Sequence, residues 1–396
     1  MPVKKVLIYF TQFKRILGGS DYLPLMFIAE LQKEHEVTVA LDWNSDFESS
    51  SRQAGIPVDV SRLKVEYIKP KSNFMRKLDA ILPFYRTWRL KKLAKNADVC
   101  ISAVNVFDFG KPAHHFIYLL RNFGDNAFFD YVSHAPELHG KALFMRKLRT
   151  FLAENILRPL LGMRSTRRIL ADPRERTYPN SRYVDKVMRD FYGPFSGTVF
   201  YPPTLFERTI PDIPRHPLRV VCIGRLFPEK QVAEIIGIVG RARELTGLDL
   251  EVHAAGHLDP SPYVEKLKRI AAENPWVKLP GALYGKEKEE FLASGTFAIH
   301  AERDEAFGIS VVEYLKAGLI PLVPDEGGTP EVVDDSALIY HTFDDAAQIL
   351  ARLLKDEAFR EEKLRHCRER ARVFSLENYM ANQRRLLADI LKGSES

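Results

Sequence analysis

The chain has 396 residues, which at roughly 100–200 residues per domain implies two or three domains and excludes a peptide-sized or disulfide-stapled module. Hydrophobic residues make up 45% and charged residues 28%, and no stretch approaches the roughly 18 unbroken apolar residues of a membrane-spanning helix, which speaks against an integral membrane protein. The net charge of +6 conceals a split: residues 1–200 hold 32 basic against 20 acidic residues and the remainder 26 against 32, a net +12 followed by −6.

The three cysteines, Cys100, Cys222 and Cys367, are odd in number and far apart. Neither a disulfide framework nor a zinc cluster fits them, and a reducing cytosol is the expected compartment. Residues 6–10 form a short apolar run without a small-residue cleavage site, so they read as a first strand rather than a signal peptide. An amphipathic stretch follows over 21–33, then a strand over 37–41, the opening of a β-α-β unit. Further strands are expected at 64–68, 99–102 and 128–132, each separated by room for a crossover helix. Five prolines between Pro202 and Pro217 mark a linker.

The rhythm then restarts, with strands expected at 218–224, 248–254, 276–279, 297–300 and 320–323 and a terminal helix over 376–392. The expected fold class is α/β: two Rossmann-like, doubly wound domains over 1–205 and 206–375, with residues 376–396 returning to the first. Ligands of such sheets sit outside the carboxyl ends of the strands, and the default site is a cleft between the two sheets.

Chemistry concentrates in the second half. Glu305 lies on a loop after an expected strand, Gly308 can open a helix, and Glu313 falls about one turn inside it. Backbone N–H groups at that helix start form an anion site, and carboxylates on either side suit sugar and ribose hydroxyls. A plain alternative is a loop acid and a first-turn acid favoured by the helix dipole. Arg225 and Lys230 follow another strand and can clamp a diphosphate, the arginine in bidentate fashion and the lysine as a point charge; solvated surface charge is the alternative for either. Gly327-Gly328 after a further strand, and Gly18-Gly19 after the first, would let backbone approach a ligand.

Taken together these segments resemble the retaining glycosyltransferases of family 4, which have the GT-B fold. Glu305 and Glu313, with seven residues between them and Phe307-Gly308 after the first, resemble that family's E-(seven)-E signature. Gly224-Arg225 with Lys230 resembles its G-R-(four)-K segment, and Ala317, Gly318, Gly327, Gly328 and Glu331 its later glycine elements. The resemblance implies that Glu313 holds the donor ribose, Arg225 and Lys230 the diphosphate, and Glu305 the hydroxyls of the transferred sugar. It implies a phosphate cradle of backbone amides at Phe307, Gly308, Ile309, Ser310, Gly18 and Gly19, a base contact near Leu283, and His134 beside the reacting centre. A histidine at a strand end is also often structural. Two features depart from the family pattern: Tyr314 and Leu315 stand where smaller residues are usual, and Gln231 where glycine is common.

The implied reaction is transfer of a sugar, with GDP-mannose as the expected donor, from a nucleotide-sugar to a glycan acceptor, with no cofactor and no metal ion required. The segment around residues 307–323 is most similar to mannosyltransferases that extend lipid-linked oligosaccharides. Residues 62–95 hold eleven basic and two acidic residues, and 141–168 eight and one, each interleaved with apolar and aromatic residues at helical spacing. That composition suits peripheral attachment to an anionic membrane on its cytosolic face, or else an ordinary solvated helix face. A cytosolic transferase or phosphorylase using a UDP- or ADP-sugar on a soluble acceptor is the alternative. Nucleic-acid binding is a remote one, since no recognised motif for it occurs.

Overall fold

The computed structural model describes residues 2–13, 19–43, 45–68, 82–118, 158–207 and 213–393, together with Leu148, Phe151, Leu152 and Ile156. The chain divides into two compact units: Met1–Pro203 with Tyr379–Ser396, and Thr204–Asn378.

The first unit is built on a six-stranded parallel sheet of order β3-β2-β1-β4-β5-β6. Its strands are β1 (Lys5–Phe10), β2 (Glu36–Leu41), β3 (Leu63–Tyr67), β4 (Val99–Ser102), β5 (His114–Ile117) and β6 (Arg176–Pro179). β1 and β4 are apolar and buried along almost their whole length, as strands covered on both faces must be. The helices are α1 (Gly19–Leu31), α2 (Phe47–Ala54), α3 (Leu82–Ala94), α4 (Thr166–Leu170) and α5 (Arg182–Tyr192). α1 is apolar nearly all round and buries Leu23, Leu25, Phe27, Ile28 and Leu31, the pattern of a helix enclosed by its domain.

The sequence expectation for β1 to β4 is met within a residue or two, but β5 and β6 were not anticipated. The chain passes from β4 to β5 through residues 103–113 without a helix, so a search for alternating helices and strands overlooks β5. The strand expected at 128–132 lies outside the described residues.

The second unit repeats the plan with order β12-β11-β10-β7-β8-β9. Its strands are β7 (Arg219–Ile223), β8 (Glu251–Ala255), β9 (Val277–Gly281), β10 (Phe297–Ile299), β11 (Ile320–Pro324) and the short β12 (Ile339–Tyr340). Its helices are α6 (Val232–Thr246), α7 (Pro262–Glu273), α8 (Gly285–Ser294), α9 (Ile309–Lys316), α10 (Thr329–Val333), α11 (Phe343–Lys355) and α12 (Glu357–Val373). Every described β pairing in both sheets is parallel.

The last helix, α13 (Leu376–Lys392), joins the first unit from Tyr379 onward. There Gln383 Nε2 donates to the carbonyl of Met26 at 3.0 Å, and Tyr379 packs on Phe200. All three cysteines are buried and free. Burial pushes each thiol up to about 12, so none is a thiolate nucleophile at neutral pH.

Candidate active site

In the second sheet the connections from β7 run outward through β8 and β9, and those from β10 run the other way through β11 and β12. β7 and β10 are neighbours, so the crevice beyond their carboxyl ends is the topological switch point, where ligands of open α/β sheets bind. A pocket opens there, lined by Gly224, Arg225, Lys230, His300, Ala301 and Tyr314 among others.

The loop after β7 presents Arg225, exposed and stacked over the Phe227 ring at 5.1 Å. Arg225 makes no ion pair with any described residue, so its guanidinium fork is free to meet an anion. The 3-10 turn Pro228–Lys230 and Gln231, whose φ of 51° lies in the left-handed region, then lead into α6. That backbone explains the family preference for glycine at the Gln231 position, because a side chain there carries a steric cost of about 1–2 kcal/mol.

The loop after β10 is held by glycine packing. Gly308 caps α9 with φ 97°, and a Cβ there would meet Thr329 at 2.6 Å. Gly327 and Gly328 lie directly against this loop: added Cβ atoms would sit 2.5 Å from the Arg303 carbonyl and 2.3 Å from that of Ala306, and Gly328 N–H donates to Glu305 O at 2.7 Å. The glycine pair therefore packs backbone on backbone and shapes the Glu305 loop. Phe307 turns its ring into the core against Phe374, leaving only its backbone for a cradle. Ile309 and Ser310 open α9, and their N–H groups have no intrahelical acceptor, whereas those of Val311 and Val312 donate to the Gly308 carbonyl.

Tyr314, on the buried face of α9, accepts from the N–H of Ile223 at 2.9 Å. It ties the helix to the end of β7, one residue before Gly224-Arg225. A residue that departs from the family pattern thus fixes the two halves of the site to each other.

The densest charge is a half-buried cluster. Lys230 Nζ lies 2.5 Å from both Glu302 Oε2 and Glu305 Oε2. His300 is 5% exposed, its Nε2 is 3.9 Å from Glu305 and has no hydrogen-bond partner among the described residues. Burial, reinforced by Lys230, pushes the imidazole down to about 4, so it is neutral at pH 7. Burial raises Glu302, and Glu305 beside it adds to the effect; burial would also raise Glu305, but Lys230 outweighs it and holds that carboxyl below its usual range. Ligand atoms of His300, Glu302 and Glu305 fall within 4.8 Å of one another, a spacing that could hold a metal ion, but the Lys230 ammonium already bridges the two carboxylates.

Arg225 and Lys230 line the crevice, Glu305 joins it through Lys230, and Phe307, Gly308, Ile309 and Ser310 follow at the start of α9, where Ser310 Oγ lies 3.5 Å from Nδ1 of the lining His300. Glu313 lies on α9, with its carboxylate on Lys288 at 2.6 Å. Leu283 follows β9, between Gly281 and the start of α8, and neighbouring Tyr284 meets His257 Nε2 through its hydroxyl at 2.5 Å. Gly19 is the first residue of α1, in the first unit. Gly18 and His134 lie outside the described residues. Sequence reasoning missed Glu302, His300 and Lys288; the available signal was an acid three residues before Glu305 and a histidine closing an apolar strand.

The model of the family described as glycosyl transferases group 1 matches residues 205–374. The phosphatidylinositol N-acetylglucosaminyltransferase GPI3 subunit of Saccharomyces cerevisiae is 30% identical over 131 residues, covering 32% of this chain and 28% of that protein. The GDP-Man:Man(3)GlcNAc(2)-PP-Dol alpha-1,2-mannosyltransferase of Homo sapiens is 26% identical over 189 residues, covering 42% and 38% respectively. The chain thus spans well under half the length of these curated relatives. The crystal structure of Anabaena HepE in complex with UDP and glucose superposes with a TM-score of 0.65 at 14% identity, over 98% of this chain and 99% of that one, and the two share a fold.

Proposed function

We propose that this chain is a retaining glycosyltransferase that moves mannose from GDP-mannose to a lipid-linked glycan acceptor at a membrane surface, a reading supported by the match of residues 205–374 to the glycosyl transferases group 1 model and by the GT-B fold. The observation that carries the proposal is the convergence of Arg225, Lys230 and the α9 N-terminus on the switch-point crevice beside Glu305. Arg225, Lys230 and the first N–H groups of α9 bear the charge that develops on the departing diphosphate. Glu305 orients the transferred sugar and Glu313 the ribose. The leaving diphosphate takes the acceptor hydroxyl's proton on the face it vacates, so the anomeric configuration is retained without a protein nucleophile, and no metal ion is assigned a part because Arg225, the α9 N–H groups and Lys230, once drawn from its carboxylates, meet the diphosphate charge.

Mannose is supported by the names of relatives that include a GDP-mannose-dependent alpha-mannosyltransferase of Mycobacterium tuberculosis. A UDP-sugar is the second reading, supported by the UDP and glucose in the solved HepE structure. Membrane attachment is supported by apolar side chains turned outward on the basic first unit. Leu148, Phe151, Leu152 and Ile156 recur at helical spacing and are exposed, as are Leu160 and Leu161. Trp88, half exposed on α3, lies under Lys92 at 5.7 Å. Such a face gains apolar burial and lipid attraction together. Among the described residues no helix is long and apolar enough to cross a membrane.

The test is isothermal titration with GDP, UDP and ADP, followed by nucleotide release from the matching sugar donors in EDTA, with and without anionic vesicles. The expected outcome is GDP binding, EDTA-resistant turnover enhanced by vesicles, and a loss of about 10³-fold in Glu305→Gln, the scale of a lost transition-state contact. Absence of binding by every nucleoside diphosphate sinks the proposal.

A further inference from the structure

Glu302 has no part in that mechanism, yet its carboxylate rests on the half-buried cation that would serve the diphosphate. Lys230 is shared at equal distance between Glu302 and Glu305. With both carboxyls ionised, one ammonium between them leaves an excess negative charge, and among the described residues the neighbouring groups do not cancel it. His300 is neutral. Arg303 is turned away onto Asp325, Glu326 and the His341 carbonyl, and Lys288 is engaged by Glu313. Arg225 is the cation left open at the mouth.

A diphosphate entering here must therefore take Lys230 from a carboxylate, and it does so against a residual like charge. Glu305 has other work in the transfer, since it meets the sugar hydroxyls. Glu302 has no hydroxyl assigned to it, and its side chain is 14% exposed against 23% for Glu305. The opposition it creates differs between ligands. In a sugar donor both phosphates are esterified, whereas the released nucleoside diphosphate carries a terminal phosphate that ionises a second time near pH 6 and brings an additional negative charge.

We propose that Glu302 is a specificity-determining residue that sets sugar donor against nucleoside diphosphate product, by holding Lys230 in competition with the phosphates and repelling the more highly charged product. It rests on the reading of this crevice as a nucleotide-sugar site. Its effect is to weaken the product more than the donor, which relieves product inhibition in a transferase whose leaving group stays where it was formed.

The test is titration of GDP and GDP-mannose, or of UDP and UDP-glucose if that pair binds, into wild type, Glu302→Gln and Glu302→Ser at pH 7.5. The glutamine variant keeps the side-chain volume and the serine variant removes it. In both, nucleoside diphosphate affinity is expected to rise about tenfold and donor affinity two- to threefold, and the inhibition constant of the product to fall in step. A purely structural role for Glu302 would weaken both ligands alike. Binding to wild type with an unchanged or inverted ratio in both variants overturns the role of Glu302 alone. Binding of neither ligand pair to any of the three proteins overturns the nucleotide-sugar reading and this inference with it.

Discussion

The two units use the same strand order, one parallel sheet each, yet they place their clustered charge at opposite ends. In the first, Arg164 reaches Asp108 at 3.0 Å and Glu175 at 2.8 Å, Glu175 meets His115 at 2.9 Å, and Lys91 meets Asp108 at 3.2 Å. Glu175 immediately precedes β6 and also accepts from the N–H of Ala113 just before β5, so this network clamps the amino ends of two strands. Its charges face one another. In the second unit the charge lies at the carboxyl ends of β7 and β10, where Arg225 is open and Lys230 is contested. A network whose cations are each paired holds a fold in one state, whereas one with an open and a contested cation can exchange partners with a ligand.

Substitutions can break this contrast. Arg164→Leu takes the arginine from buried Glu175 and leaves Asp108 with Lys91 alone, and is expected to destabilise the first unit by about 3–5 kcal/mol. Native-state hydrogen exchange of β5 and β6 should show the loss, while β7 and β10 keep their protection. Equal loss in both units would refute the assignment of the network to the first unit alone.

Acid provides the next test, because each unit buries a neutral histidine. Burial, with smaller contributions from His115 and Arg176, pushes His114 down to about 3, and His300 stands at about 4. Both values lie below the roughly 6.5 of an unfolded histidine. As pH falls through about 6.5 the unfolded chain takes up the proton first, so stability present above that pH is lost at about 1.4 kcal/mol per pH unit per histidine until the folded value is reached. In His300→Asn the exchange-derived stability of the second unit should fall less steeply between pH 6.5 and 5, and the slope in the first unit should stay as it was.

The smallest expected effect is at Gln231. Glycine there relieves left-handed backbone but loses more chain entropy on folding, so Gln231→Gly is expected to stabilise the second unit by about 0.5–1 kcal/mol. A lowered melting temperature would show that the glutamine side chain does more than tolerate its backbone.

These same particulars explain how far the sequence could be read. β1, β4, β7 and β11 were legible because strands buried on both faces are apolar runs bounded by turn residues. β5 begins with two histidines and follows a connection without a helix, and β12 has two residues, so neither carries a hydrophobic period. Arg225, Lys230 and Glu305 were legible because each is fixed by its place after a strand, and Glu313 because it lies one turn into the helix that follows. Glu302 was not, because its meaning lies in a lysine on another loop, a relation that only the adjacency of β7 and β10 creates. Tyr314 looked like a departure without chemistry for the same reason: its partner is a backbone N–H across the sheet.

Chain order adds a consequence of the division into units. Thr204–Asn378 is contiguous, whereas the first unit is assembled from Met1–Pro203 and Tyr379–Ser396, with α13 bringing Gln383 to Met26 and Tyr379 to Phe200. On a ribosome the second unit is therefore complete before the first, although more than half of the chain's residues emerge ahead of its last helix. The aromatic surface that awaits Tyr379 stays uncovered through the synthesis of an entire domain, which makes the nascent first unit the stage most exposed to misassociation.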